Sequence, residues 1–163
     1  MCLKTAPSEF IQALEPRILL SVTDFPEYRG ANAQHQFGGN SDDMVQWNVN
    51  IVRETVQLFD RAPLGYGAIQ VGGSWYHGLQ GVVDRNRTNG IITILCPFSW
   101  DGEAILGSIP SQTSYWAQFN ERLYELALHF KDQPDVWIEF WNEPYDWDRP
   151  TDPDQWVFDM QVM

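Results

Sequence analysis

Glu143 stands between Asn142 and Pro144 at the end of the run Val136-Trp137-Ile138-Glu139-Phe140-Trp141. The run is rich in β-branched and aromatic residues and comes after the polar stretch Lys131-Asp132-Gln133-Pro134-Asp135, so it reads as a buried strand ending near Asn142. Pro144 lacks the N–H that would extend a ladder, which leaves the carboxylate where the strand stops. Alternation predicts Glu139, Trp141 and Glu143 on one face and Ile138, Phe140 and Asn142 on the other. A carboxyl group acts as a general acid near neutral pH only if its surroundings keep it protonated. Trp141, Tyr145 and Trp147 would supply a low-dielectric wall of that kind, with flat faces suited to stacking on sugar rings. Alone, Asn-Glu-Pro would be an ordinary solvated turn; a helical pattern, a polar turn and an apolar strand immediately before it raise it above that.

In that setting, Val136 to Pro144 resembles the fourth-strand signature of the clan A glycoside hydrolases, most closely the family 5 cellulase and mannanase type. The resemblance implies that Glu143 is the general acid/base and that Asn142 hydrogen-bonds the sugar 2-hydroxyl. It extends weakly to Tyr28-Arg29-Gly30-Ala31-Asn32 and the polar loop Gln34 to Asn40, and so covers roughly Arg29 to Trp156. The family keeps a glutamate where this chain has Glu139, and usually an arginine just after its second strand that helps to hold the acid/base region. With the second strand read as Gly67 to Val71, the stretch Gln70-Val71-Gly72 offers no arginine, and Glu139 is expected to lack its partner. Related hydrolases commonly place a histidine where this chain has Pro97 or Phe98, which makes Trp100 the candidate replacement contact. Trp75 and His77, in the loop after the expected second strand, would reach the same rim if the strands are parallel.

Retaining glycoside hydrolysis needs two carboxylates about 5 Å apart. The resemblance puts the nucleophile at the end of a seventh strand, so it is absent from this chain. Asp101, Glu103, Asp146 and Asp148 are acids that could lie nearby, but no spacing marks one of them. The expected activity is therefore cleavage of a β-linked, cellulose- or mannan-like polysaccharide by the parent protein, with little or no turnover by the isolated chain. One alternative is a catalytically inactive carbohydrate-binding half barrel; another is a small doubly wound α/β protein of unrelated function.

The elements that must position these residues alternate. A first strand at about 28–32 leads to a helix from about Asp42 to Arg61, whose apolar face is Met44, Ile51, Val52, Leu58 and Phe59. The strand Gly67 to Val71 and a short helix from Gly81, capped by Asn89-Gly90, come next. Ile91 to Cys96 is the clearest buried strand. Tyr115 to Lys131 is the strongest helix, with Ser114 as cap, Trp116, Phe119, Leu123, Leu126, Ala127 and Phe130 as its stripe, and Asn120, Glu121, Arg122 and Glu125 as a solvated face. Beyond Asp148, Pro153 reads as the first residue of a further helix. Four βα units without hairpin signals predict a parallel sheet, the first half of a (β/α)8 barrel over 29–163. Four strands cannot close, so a second half is expected, from the same natural gene or from a homodimer.

At 163 residues the chain falls short of the roughly 250 that a complete barrel needs. A net charge of −12 argues against nucleic acid and anionic membranes as partners, leaving a neutral poly- or oligosaccharide open. Cys2 and Cys96 make no disulfide framework, and no run of 18 apolar residues spans a membrane. No cofactor is expected: phosphate-cradling glycine motifs are missing, and His35, His77 and His129 lack metal-ligand spacing. Residues 1–28 read as a flexible leader. Within it, Leu14-Glu15-Pro16-Arg17-Ile18-Leu19-Leu20-Ser21 resembles a motif near the N-termini of large surface or exported bacterial proteins, which implies an extracellular or cell-surface location.

Overall fold

The computed structural model describes residues 27–34, 41–71, 73–105, 107, 109–144 and 153–162. The expected leader lies almost wholly outside these residues, as do His35, Tyr145, Asp146, Trp147 and Asp148. Strand β1 (Gly30–Ala33) is succeeded by the five-residue helix α1 (Ser41–Val45) and by β2 (Ile51–Val56). A hairpin, β3 (Ala68–Val71) and β4 (Ser74–His77), leads into helix α2 (Leu79–Thr88) and strand β5 (Ile92–Pro97). A second, short hairpin, β6 (Ser99–Trp100) and β7 (Glu103–Ala104), precedes helix α3 (Trp116–Phe130), strand β8 (Val136–Ile138) and helix α4 (Pro153–Val162). The main sheet has four strands in the order β1-β2-β5-β8, all parallel. This is the expected parallel α/β architecture, part of a (β/α)8 barrel.

The expected second strand is corrected. The helix predicted over Asp42 to Arg61 stops at Val45, and Asn48, in the left-handed region at φ 56°, turns the chain out of it. The next segment, Ile-Val-Arg-Glu-Thr-Val, is β-branched at four of six positions; it packs as a central strand although its apolar residues also fit a helical period. Gly67 to Val71 belongs instead to the β3–β4 hairpin, antiparallel and outside the main sheet. The hairpin is tied down at Gly78, whose N–H donates to Gly67 O at 2.6 Å, while Leu79 N–H donates to Pro63 O at 2.9 Å. A Cβ at Gly78 would sit 1.7 Å from Gly65 O, so only glycine fits.

In-register pairing divides the sheet into two faces. Asn32, Arg53, Ile94 and Trp137 form one row of the inner face, and Ala33, Glu54, Leu95 and Ile138 one row of the outer face. The outer face carries the core: Val56 and Leu95 pack with Leu79 and Val83 of α2 and with Phe119, Leu123, Leu126 and Phe130 of α3. The α3 stripe is as expected, but its ends and one face are not. No side chain caps it, Tyr115 rather than Ser114 being the cap residue. Arg122 is not on a solvated face; it donates to Phe59 O at 3.2 Å and to Ala62 O, closing carbonyls of the loop after β2. Helix α2 ends as expected, with Gly90 at φ 69° behind the Asn89 cap.

Candidate active site

One guanidinium, from the middle of β2, gathers groups from the end of β5 and from the chain just past β8. Arg53, facing inward from β2, donates from Nε to Glu139 Oε2 at 2.6 Å and from Nη2 to Glu139 Oε1 at 2.7 Å. The same Nη2 donates to Asn142 Oδ1 at 2.7 Å and to Cys96 Sγ at 2.9 Å. Asn142 is held at its other end too, Nδ2 donating to Ile105 O at 2.9 Å. With the residue only 1% exposed, its amide is fixed in one orientation by two strands and a loop. The expectation that Glu139 has no arginine is therefore overturned: the partner comes from β2, a strand whose sequence also fits a helix.

The electrostatics reflect this geometry. The Glu139 hydrogen bonds raise the Arg53 pKa above its ordinary value, outweighing the desolvation that would lower it; the charge of Glu143 adds to the rise. Cys96 is pushed up to about 12, first by burial and then by the charge of Glu139. Its thiol is neutral, a weak partner for Arg53 rather than a nucleophile. Glu143 itself is exposed, in the left-handed region at φ 44°, with its carbonyl accepting from Gly107 N–H at 2.9 Å. A non-glycine residue in that region stores strain, and such residues cluster at functional sites.

The expected side-chain alternation does not reach this far. Ladder hydrogen bonding ends with Glu139 N–H donating to Leu95 O at 2.9 Å, and the chain then bends, so Glu139 and Asn142 meet on one guanidinium. Trp141 turns into the core at 4% exposure, stacked on Tyr115 at 6.2 Å and tilted on Phe119 at 4.7 Å. Its ring has no face left for a sugar and does not wall Glu143. Trp100 lies on β6, stacked on Tyr115 at 5.3 Å and edge-on to Phe59, at the margin of the outer core. Trp75 and His77 sit on β4, in the connection that leaves the carboxyl end of β2; Trp75 is exposed, and His77 lines a cavity shared with Glu54 on the outer face, apart from the Arg53 cluster. Asp101 is engaged by Arg61, and Glu103 is exposed on β7. Tyr145 and Trp147 lie outside the described residues. Among the described residues, no group of three or more His, Cys, Asp or Glu side chains is placed to hold a metal ion.

Sequence reasoning misses Arg53 and Cys96. The available signal is a charged residue within a β-branched run: a half-buried arginine in a central strand needs a partner, and it marks a site more often than an ordinary core.

A parallel sheet of α/β type, with an amide and a carboxyl placed in succession past its last strand and steered by an arginine from within, defines a class: barrel proteins that carry their site at the carboxyl rim. The family comparison is more specific, since the cellulase (glycosyl hydrolase family 5) model matches residues 29–162, and the chain belongs to that family. Neither a curated protein nor a solved structure matches it. Membership makes the chain a glycoside hydrolase by family and its expected substrate class a polysaccharide.

Proposed function

We propose that Glu143 is the proton donor of a retaining glycosidase acting on a β-linked, cellulose- or mannan-like polysaccharide, with Asn142 binding the sugar 2-hydroxyl. The observation that carries this reading is the double anchoring of Asn142 between Arg53 and Ile105, directly before a backbone-strained Glu143. An amide whose Oδ1 accepts from Arg53 and weakly from Cys96 Sγ at 3.9 Å, and whose Nδ2 donates to Ile105 O, keeps one Nδ2 hydrogen for a ligand, in an orientation set before binding. Glu139 spends both oxygens on Arg53 and so acts as support rather than as nucleophile. In this reading the nucleophile comes from a second half of the barrel, in the same gene product or in a partner copy. Resemblance of 14–21 to an export motif supports an extracellular or cell-surface site of action.

The test is Glu143→Gln in the longest natural form of the protein, assayed on unactivated cellulose and mannan. A loss of several orders of magnitude in kcat is expected, since general acid catalysis alone contributes about 10²–10⁴-fold. Near-full activity would refute the assignment. For the chain by itself, binding of soluble oligosaccharide without turnover is expected.

A further inference from the structure

Glu54, the neighbour of Arg53 on β2, faces the other way, into a cavity of about 250 Å³ between α2 and the β3–β4 hairpin. The cavity is lined by Glu54, Tyr66, His77, Arg85 and Asn86 together with glycines of the hairpin and helix start. Glu54 is 3% exposed; its Oε1 accepts from Asn86 Nδ2 at 3.1 Å, and its Oε2 has no partner. A buried carboxyl oxygen without a partner is desolvated with nothing to replace the lost water, a cost that a ligand hydroxyl would relieve.

We propose that this cavity binds one neutral, ring-sized polyhydroxyl unit, a pyranose, at a site separate from Glu143. Anions are disfavoured because the first N–H groups of α2 are already taken: Leu79 donates to Pro63 O, Gln80 to Leu64 O and Gly81 to Gly78 O. An anion would also face Glu54. Cations are disfavoured because burial raises the Glu54 pKa, and because the exposed Arg85 guanidinium beside it makes no ion pair among the described residues. A hydroxyl both donates and accepts, so it satisfies Glu54 in either protonation state and can accept from Arg85. The volume is below the range of drug-sized pockets and suits a single ring. Tyr66, 78% exposed, offers a flat face at the mouth and is held in place by its hydroxyl bond to Asp84.

The test is a titration of the full ¹⁵N-labelled chain with D-glucose, monitored by amide shifts, with inorganic phosphate and methylammonium as charged probes. Glucose should give saturable shifts at Gly67, Gly78, Gly81 and Arg85 with a Kd of about 1–10 mM, the range open to so small a ligand. Arg85→Ala and Tyr66→Ala, both at exposed positions, should each weaken it by about tenfold. Glu143→Gln should leave it unchanged, which separates this site from the proposed catalytic one. The proposal is overturned by shifts confined to Asn142 and Glu143, by saturation with phosphate or methylammonium instead, or by no saturable glucose response below about 0.1 M.

Discussion

Replacing Arg53 with Met removes the guanidinium while keeping most of the stem volume, and four donor contacts go at once: two to Glu139, one to Asn142 and one to Cys96. Stripping one partner from a buried ion pair costs about 3–5 kcal/mol. The two side chains are 27% and 29% exposed, so water will screen the abandoned carboxylate, and about 1–3 kcal/mol is the expected loss. Arg53→Lys should recover little of it, because an ammonium cannot span a carboxylate fork and an amide together. A double-mutant cycle with Glu139→Gln isolates the pair; urea unfolding should give a coupling of about 1 kcal/mol or more. In the longest active form, Arg53→Met should lower kcat by about 10²-fold, the effect of a misplaced group next to the chemistry, with a smaller change in KM. Stability within about 0.5 kcal/mol of wild type, with a coupling near zero, would show that the guanidinium does not organise the rim.

Glu54→Gln tests the outer face. Burial raises the Glu54 pKa, so the folded state holds its proton more tightly than the unfolded one; that contribution is complete below the unfolded value, near 4.5, and is lost as pH rises through the folded value. The glutamine variant should therefore flatten the decline of urea midpoints as pH rises above about 4.5 and equal or exceed wild type once Glu54 is ionised; an unchanged slope would rule out Glu54 as its source. Gly78→Ala should cost about 1–3 kcal/mol or more by thermal melting, because its Cβ would overlap Gly65 O at 1.7 Å. In a Cys2→Ser background, Cys96, fully buried with a thiol pushed up to about 12, should resist Ellman's reagent at pH 8 until the chain is unfolded; labelling faster than unfolding would contradict its placement.

Strand β5, the α2 cap at Asn89-Gly90, the α3 stripe and the helix start at Pro153 are legible in the sequence because each is a local pattern with one physical reading. Strand β2 is not. Over so few residues, Ile51, Val52, Thr55, Leu58 and Phe59 satisfy a helical period, while the β-branching of Ile51, Val52, Thr55 and Val56 and the stop at Asn48 argue for a strand; tertiary pairing with β1 and β5 decides. The hairpin is legible in principle, since Gly72-Gly73 between two apolar runs is a two-residue turn signal. Misplacing β2 hides Arg53, and with it the partner of Glu139. Asn142 and Glu143 stand out because a tripeptide signature survives errors elsewhere, whereas Trp141 goes astray: past the last ladder bond, alternation no longer dictates direction and the core claims the largest ring.

Arg53 and Glu54 are adjacent in sequence yet serve opposite faces, which makes the register of β2 a functional quantity. A slip by one residue would turn the guanidinium into the apolar layer beneath α2 and swing Glu54 toward Glu139, placing like charges together. Such a slip also strips Arg53 of its partners, leaving a buried charge uncompensated, a penalty of several kcal/mol. Pairing on both sides, Arg53 against Asn32 and against Ile94, already fixes that register. The polar pair at its centre adds specificity that Ile51, Val52 and Val56 alone could not, because an apolar strand between two half-apolar faces tolerates a shift that a charged one does not. The residues that build the rim thereby also select the alignment in which the rim exists.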